Sequence, residues 1–127
     1  MSASRPTLFT KLHPVLNVTD PVGERRFYES LGLPVIYEGD EYPGFVAFGT
    51  EALDFGIQPA TESNDPPSVL TWQLGVNDVD VAADTCRGAG IAFSVEENNP
   101  APGWRYRRLI LRSPSGYRVA LEGPNEA

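Results

Sequence analysis

The sequence predicts an α+β fold built from two βαβββ modules in tandem. Three observations carry this. Apolar residues alternate with polar ones in several short runs, as half-buried strands require. Two helix-period segments each open on an aspartate and close on a glycine. The order strand, helix, three strands occurs twice, and one spacing of 58 residues relates His13 to Thr71, Leu16 to Leu74, Asp20 to Asp78, Leu31-Gly32 to Ala89-Gly90 and Val35 to Phe93.

The elements follow in chain order. Alternation through Leu12, His13, Pro14, Val15, Leu16, Asn17 and Val18 predicts a strand within Phe9 to Val18. Asp20 is the expected N-cap and Pro21 the first helical residue. Phe27, Tyr28 and Leu31 continue at helical spacing, Gly32 stops the helix, and Pro34 follows. Strands are expected at Val35 to Glu38, Phe45 to Phe48 and Ala52 to Gln58, separated by Gly39-Asp40, Pro43-Gly44 and Gly49-Thr50. Residues 59–67 are polar and proline-rich and read as a linker between module one, about 8–58, and module two, about 68–124. Module two repeats the plan. It has a strand at Val69 to Val76, a helix opened by Asn77-Asp78 and closed by Ala89-Gly90, and a strand at Ile91 to Val95. A loop from Glu96 to Gly103 comes next, then strands at Trp104 to Arg112 and Tyr117 to Glu122, joined by the turn Ser113-Pro114-Ser115-Gly116. The register is expected to drift to about 66 late in the module, with Leu53 against Val119.

Composition narrows the function. The 127 residues are a usual length for one domain, and 41% are apolar. No apolar run approaches the roughly 18 residues that span a bilayer, and the first residues carry no secretory signal, so a cytoplasmic protein with no membrane partner is expected. The single Cys86 excludes an internal disulfide. Ten basic and 17 acidic residues give a net charge of −7, which repels phosphate backbones and argues against nucleic acid. The acidity serves solubility, and it would also favour a cationic ligand.

Two segments resemble the glyoxalase / bleomycin-resistance / dioxygenase (vicinal oxygen chelate) superfamily. One is His13-Pro14-Val15-Leu16-Asn17-Val18-Thr19-Asp20 followed by Arg26-Phe27-Tyr28 and Leu31-Gly32; the other is Ser113-Pro114-Ser115-Gly116-Tyr117-Arg118-Val119-Ala120-Leu121. The resemblance implies that each module curls its four strands into half of a curved mixed sheet with a concave ligand cleft. It also implies a homodimer whose clefts draw on both subunits. Metal-dependent members place His, Glu, His and Glu on the first and last strands of the modules, a donor set suited to Zn, Ni, Fe or Mn. Carried over, these positions fall on His13, Asp54, Thr71 and Ala120. Asp54 is one methylene shorter than Glu, threonine is a poor ligand, and alanine cannot ligate. Gln73 and Glu122 lie two residues on, on the same faces, so a shifted set of His13, Asp54, Gln73 and Glu122 is conceivable.

His13 is the only histidine, which rules out a Ser/His/Asp triad. It fits a hydrogen-bonded structural residue, a cleft wall or a metal ligand. Gly88-Ala89-Gly90 closes a helix and is no dinucleotide fingerprint. Cys86 reads as a small core residue. Asp54 or Glu122 could serve as a general base. Trp104-Arg105-Tyr106-Arg107-Arg108 is the suggestive segment, because aromatic rings and guanidinium groups hold planar ligands. Alternation puts Trp104, Tyr106 and Arg108 on one face, the one expected to line the cleft; an exposed strand or a dimer interface is the bland alternative. Trp72 should face the core, and one or two of Tyr37, Phe45, Phe48 and Phe55 could line the cleft. The ligand-binding candidates are therefore His13, Asp54, Gln73, Trp104, Tyr106, Arg108 and Glu122, with no catalytic residue, metal or cofactor assigned. The expected function is binding and sequestration of a small planar or partly cationic organic molecule, such as an antibiotic or other natural product. The alternative is a lyase, isomerase or dioxygenase of the same superfamily with a reduced or shifted metal site.

Overall fold

The computed structural model describes residues 8, 12–39, 41, 43–51, 53–60 and 70–124. The expected α+β architecture is present: two four-stranded mixed sheets, each with one helix. Module one runs β1 (Val15–Val18), α1 (Pro21–Ser30), β2 (Val35–Glu38), β3 (Val46–Thr50) and β4 (Leu53–Pro59), in sheet order β1-β4-β3-β2. Module two runs β5 (Thr71–Gly75), α2 (Val79–Gly88), β6 (Ser94–Ala101), β7 (Trp104–Arg112) and β8 (Arg118–Pro124), in sheet order β5-β8-β7-β6. The first strand of each module pairs in parallel with the last, and the remaining pairs are antiparallel. Phe9 to Lys11, Ala52 and residues 61–69, which hold parts of the expected strands and linker, lie outside the described residues. No helix among the described residues is long and apolar enough to cross a membrane.

Both helices form where the local signals put them. Asp20 accepts a hydrogen bond from the backbone N–H of Gly23 at 3.0 Å, and Asp78 accepts from those of Asp80 and Val81 at 3.0 and 3.2 Å. Each cap satisfies donors that the first helical turn leaves open. Gly32 and Gly90 adopt φ of +96° and +72°, the left-handed conformation in which glycine is unstrained, and so end α1 and α2 at equivalent points of the repeat.

One expectation is corrected here. Glu96 to Gly103 is not a loop: β6 extends through Ala101, and its ladder with β7 includes Glu96↔Arg108, Glu97↔Arg107 and Asn98↔Tyr106. The residues are polar because the strand is an edge strand. Its stability comes from the partner strand across the hairpin and not from apolar alternation.

The helix-facing side chains of both sheets meet in one core. Leu16, Val18, Phe55 and Ile57 from module one join Leu74, Leu109, Leu111, Val119 and Leu121 from module two. Rings of Tyr28, Phe48 and Phe55 pack at 5.1–5.4 Å between centroids, and Phe55 meets Trp72 across the seam at 5.1 Å, edge to face. Trp72 is thus the core residue the alternation predicts. The seam also holds a buried carboxylate. Glu24 of α1 accepts from the backbone N–H of Ser115, in the β7–β8 turn, at 2.9 Å and from the Tyr28 hydroxyl at 3.3 Å. The Ser115 hydroxyl accepts from the N–H of Asp20, and the Tyr117 hydroxyl donates to the carbonyl of Asn17 at 2.8 Å. Burial, with Glu24 close by, pushes both phenols above the ordinary tyrosine range.

Removing this carboxylate would strand a buried N–H and a buried hydroxyl. Glu24→Ala should lower the unfolding free energy by about 2–3 kcal/mol, and Glu24→Gln, which keeps an acceptor, by less. Urea denaturation followed by circular dichroism measures both. Equal losses would mean that the cavity, and not the hydrogen bonds, sets the effect.

Candidate functional site

Because the helix sides of the two sheets share one core, their other faces point away from it. These open faces carry the candidate residues, in two groups. On module one, β1 and β4 bring His13 and Asp54 together, with His13 Nδ1 3.0 Å from Asp54 Oδ1 and both side chains about one-third exposed (27% and 30%). The ring N–H is not aligned on the carboxylate, so the contact is one of proximity. Phe45 lies across Gly56, whose absent side chain makes the room: a Cβ there would meet the Phe45 ring at 2.5 Å and approach His13 Nε2 at 3.5 Å. Tyr37 stands 6.1 Å from Phe45, and Gln58 donates to Asn17 at 2.8 Å. Module one therefore presents an aromatic patch beside an imidazole–carboxylate pair.

Module two presents charge. Arg108 donates to Glu96 at 3.0 Å and to Gln73 at 3.4 Å, and its Nε lies 3.8 Å from Glu122. Gln73 donates to Glu122 at 3.3 Å. Arg118 hydrogen-bonds the Thr71 hydroxyl and lies 3.5 Å from Glu96. Arg108 of β7 joins this network, while Arg107 turns to the helix side and binds Asp80 at 2.6 Å. Alternation places Tyr106 with Arg108. Trp104 opens β7 opposite Ala101; its side chain lies outside the description.

The ladders also fix which positions of the two modules correspond. Val15 pairs with Gly56, and its counterpart Gln73 pairs with Ala120, so β4 maps onto β8 with a spacing of 64 and not about 66. Asp54 therefore corresponds to Arg118, not to Ala120. By the β3–β4 and β7–β8 registers, Phe45 corresponds to Arg108. The donor pair His13–Asp54 thus becomes Thr71–Arg118, a hydroxyl and a cation. The shifted set is not assembled within the chain, since His13 and Asp54 lie on one sheet and Gln73 and Glu122 on the other. Among the described residues, no three of His, Cys, Asp and Glu come together as a metal site. The four corresponding positions, His13, Asp54, Thr71 and Arg118, do not supply the donor set that the fold family uses for its metal.

Residues 11–121 match the model of the Glyoxalase/Bleomycin resistance protein/Dioxygenase superfamily. The chain belongs to this superfamily. Solved structures with the same fold include three that span nearly the whole chain. A glyoxalase/bleomycin resistance protein/dioxygenase from Alicyclobacillus acidocaldarius is 14% identical with a TM-score of 0.71, covering 91% of this chain and 91% of its own. An antibiotic-binding protein from Streptomyces sp. CB03234 is 17% identical with a TM-score of 0.68, covering 94% and 100%. A lactoylglutathione lyase from Agrobacterium tumefaciens is 17% identical with a TM-score of 0.65, covering 94% and 96%. No curated protein matches the chain in sequence. The superfamily's fold gives the sheet faces their place, and the chemistry on them is this chain's own.

Sequence reasoning left Arg118 and Glu96 out of the candidate set. Glu96 fell in the segment read as a loop, and Arg118 was displaced by the two-residue register error. A crevice of about 460 Å³ lies at the seam, lined by Leu31, Leu33, Leu53, Leu74, Ala82 and Thr85 among others. Its lining is mostly aliphatic and brings no polar groups to a point, so the open faces remain the better candidate for recognition.

Cys86 is fully buried in α2, and burial pushes its thiol above the ordinary range, with Arg87 opposing in part. The thiol should react with a disulfide reagent no faster than the protein unfolds. Reaction in native buffer at the rate of a free thiol, followed by absorbance, would show instead that α2 opens locally.

Proposed function

We propose that the protein binds a small planar organic molecule on its open sheet faces and holds it without chemical change. One observation carries this reading. Where a metal-dependent relative needs four donors, this chain offers His13 and Asp54 on one module and Thr71 and Arg118 on the other. What remains is a recognition surface: aromatic Phe45 and Tyr37 on module one, and Arg108 with Gln73, Glu96, Arg118 and Glu122 on module two. Rings stack on planar ligands, and guanidinium groups both stack and form directed hydrogen bonds. The antibiotic-binding neighbour from Streptomyces supports the same reading. Trp104 and Tyr106 belong to this proposal as walls of the site.

The two faces look away from a shared core, so a single chain cannot close them on one ligand. A homodimer that sets the module-one face of one copy opposite the module-two face of the other would form the full cleft. Light scattering should then report about twice the 13.9 kDa chain mass at micromolar concentration. A monomer at all concentrations would mean an open, one-sided site.

A second reading rests on the His13–Asp54 pair, which could act as a base or as half of a metal site, in line with the lyase neighbour from Agrobacterium tumefaciens. One experiment separates the two. Titration with a panel of planar aromatic natural products should quench tryptophan fluorescence saturably and return each compound unchanged. Phe45→Ala or Trp104→Ala should weaken binding about tenfold or more, the effect of losing one large ring contact. Stoichiometric Zn or Ni retained after dialysis, or conversion of any compound, would favour the enzyme.

A further inference from the structure

We propose that Glu96 is a built-in stand-in for the carboxylate of the ligand, and that the protein's natural ligand is a planar aromatic acid. The inference rests on the binding reading above and names the polar half of that ligand. Glu96 sits between two guanidinium groups, accepting from Arg108 at 3.0 Å and lying 3.5 Å from Arg118. Two arginines drawn onto one carboxylate are the arrangement by which proteins hold carboxylate ligands. The two acids of the network differ in how firmly they are held. Glu122, on the central strand β8, is 19% exposed and is held by Gln73 as well as by Arg108. Glu96, on the edge strand β6, is 44% exposed, and its contacts are these two arginines alone among the bonds described.

Glu96 is therefore the group that can leave. Exposed ion pairs contribute about 0–1 kcal/mol, so swinging Glu96 into water costs little. Its departure leaves two guanidiniums, each only about a quarter exposed (26% and 27%), against the single carboxylate of Glu122. An incoming carboxylate restores the balance and meets an array already oriented by Gln73 and Thr71. The replacement of Phe45 by Arg108 and of Asp54 by Arg118 between the modules gives the ligand its two ends: an aromatic body for module one and an acid for module two.

The test compares 2-naphthoate with the neutral, isosteric 2-naphthamide by calorimetry on the full chain. Naphthoate should bind about tenfold tighter than naphthamide, the effect of one or two charge-assisted hydrogen bonds. Glu96→Gln should tighten naphthoate binding severalfold, since it removes the competing charge from Arg108 and Arg118. Arg118→Gln should erase the preference for the acid. Arg118→Lys, which keeps the charge and the fold but loses the fork, should retain part of it. Circular dichroism confirms that each variant is folded. Equal binding of acid and amide, or weaker naphthoate binding in Glu96→Gln, overturns this inference and leaves the planar-ligand reading standing. If neither compound nor any other planar molecule binds, the planar-ligand reading itself fails.

Discussion

The relation between the two halves of this protein depends on Glu24. Each module can build its own sheet from local signals, but apolar contact between modules is non-directional and would allow them to slide. The Glu24 carboxylate supplies direction. It is fully buried, with the Ser115 N–H and the Tyr28 hydroxyl as its hydrogen-bond donors. A buried carboxylate left unsatisfied is expensive, so the turn carrying Ser115 must stay where its N–H meets α1. The internal repeat offers a comparison within the molecule. Glu24 and Phe27 of α1 correspond to Ala82 and Thr85 of α2, and Ser113 and Tyr117 correspond to Thr50 and Leu53. Those four small or aliphatic counterparts line the 460 Å³ crevice. The seam is thus locked where the acid and aromatic side chains stand and left open where the repeat replaces them.

The same comparison explains where function could diverge. Along β4 and β8, the residues facing the core stay apolar in both modules: Phe55 becomes Val119 and Ile57 becomes Leu121. The alternate residues on the same strands change character altogether, Asp54 to Arg118 and Gln58 to Glu122. Packing restricts one side of each strand to residues of the right volume. The open side has no such restriction. A repeated module can therefore keep its fold while one face trades an aromatic patch for a charged one.

This division also sets what was legible in the sequence. The helices and their ends were readable because Asp20, Asp78, Gly32 and Gly90 act locally. The bounds of β2 and β7 were equally plain, since their punctuation is strong. Strand β6 was not, because its polar residues 96–99 owe their extended form to β7, a partner that local pattern does not reveal. The register of β8 was misjudged by two residues. A slip of one would have reversed every face; a slip of two kept the faces and changed only the partners. Asp54 and Glu122 were therefore placed on the side away from the core, where they stand, while Arg118 was overlooked in favour of Ala120. Glu24 gave a faint signal: it lies one turn from Phe27 and Tyr28, on the apolar side of α1, where an acid usually reads as exposed.

The charge of the chain and the charge of its site point in opposite directions, and distance decides between them. A net charge of −7 suggests a cationic ligand. That field is a sum over the whole surface, and physiological salt screens it beyond about 8 Å. Recognition happens at hydrogen-bond distance, where Arg108 and Arg118 stand on the module-two face. The acidity of the surface governs solubility and the approach of ligands from afar. The sign of the group finally held follows from the two guanidiniums and from how loosely Glu96 occupies them.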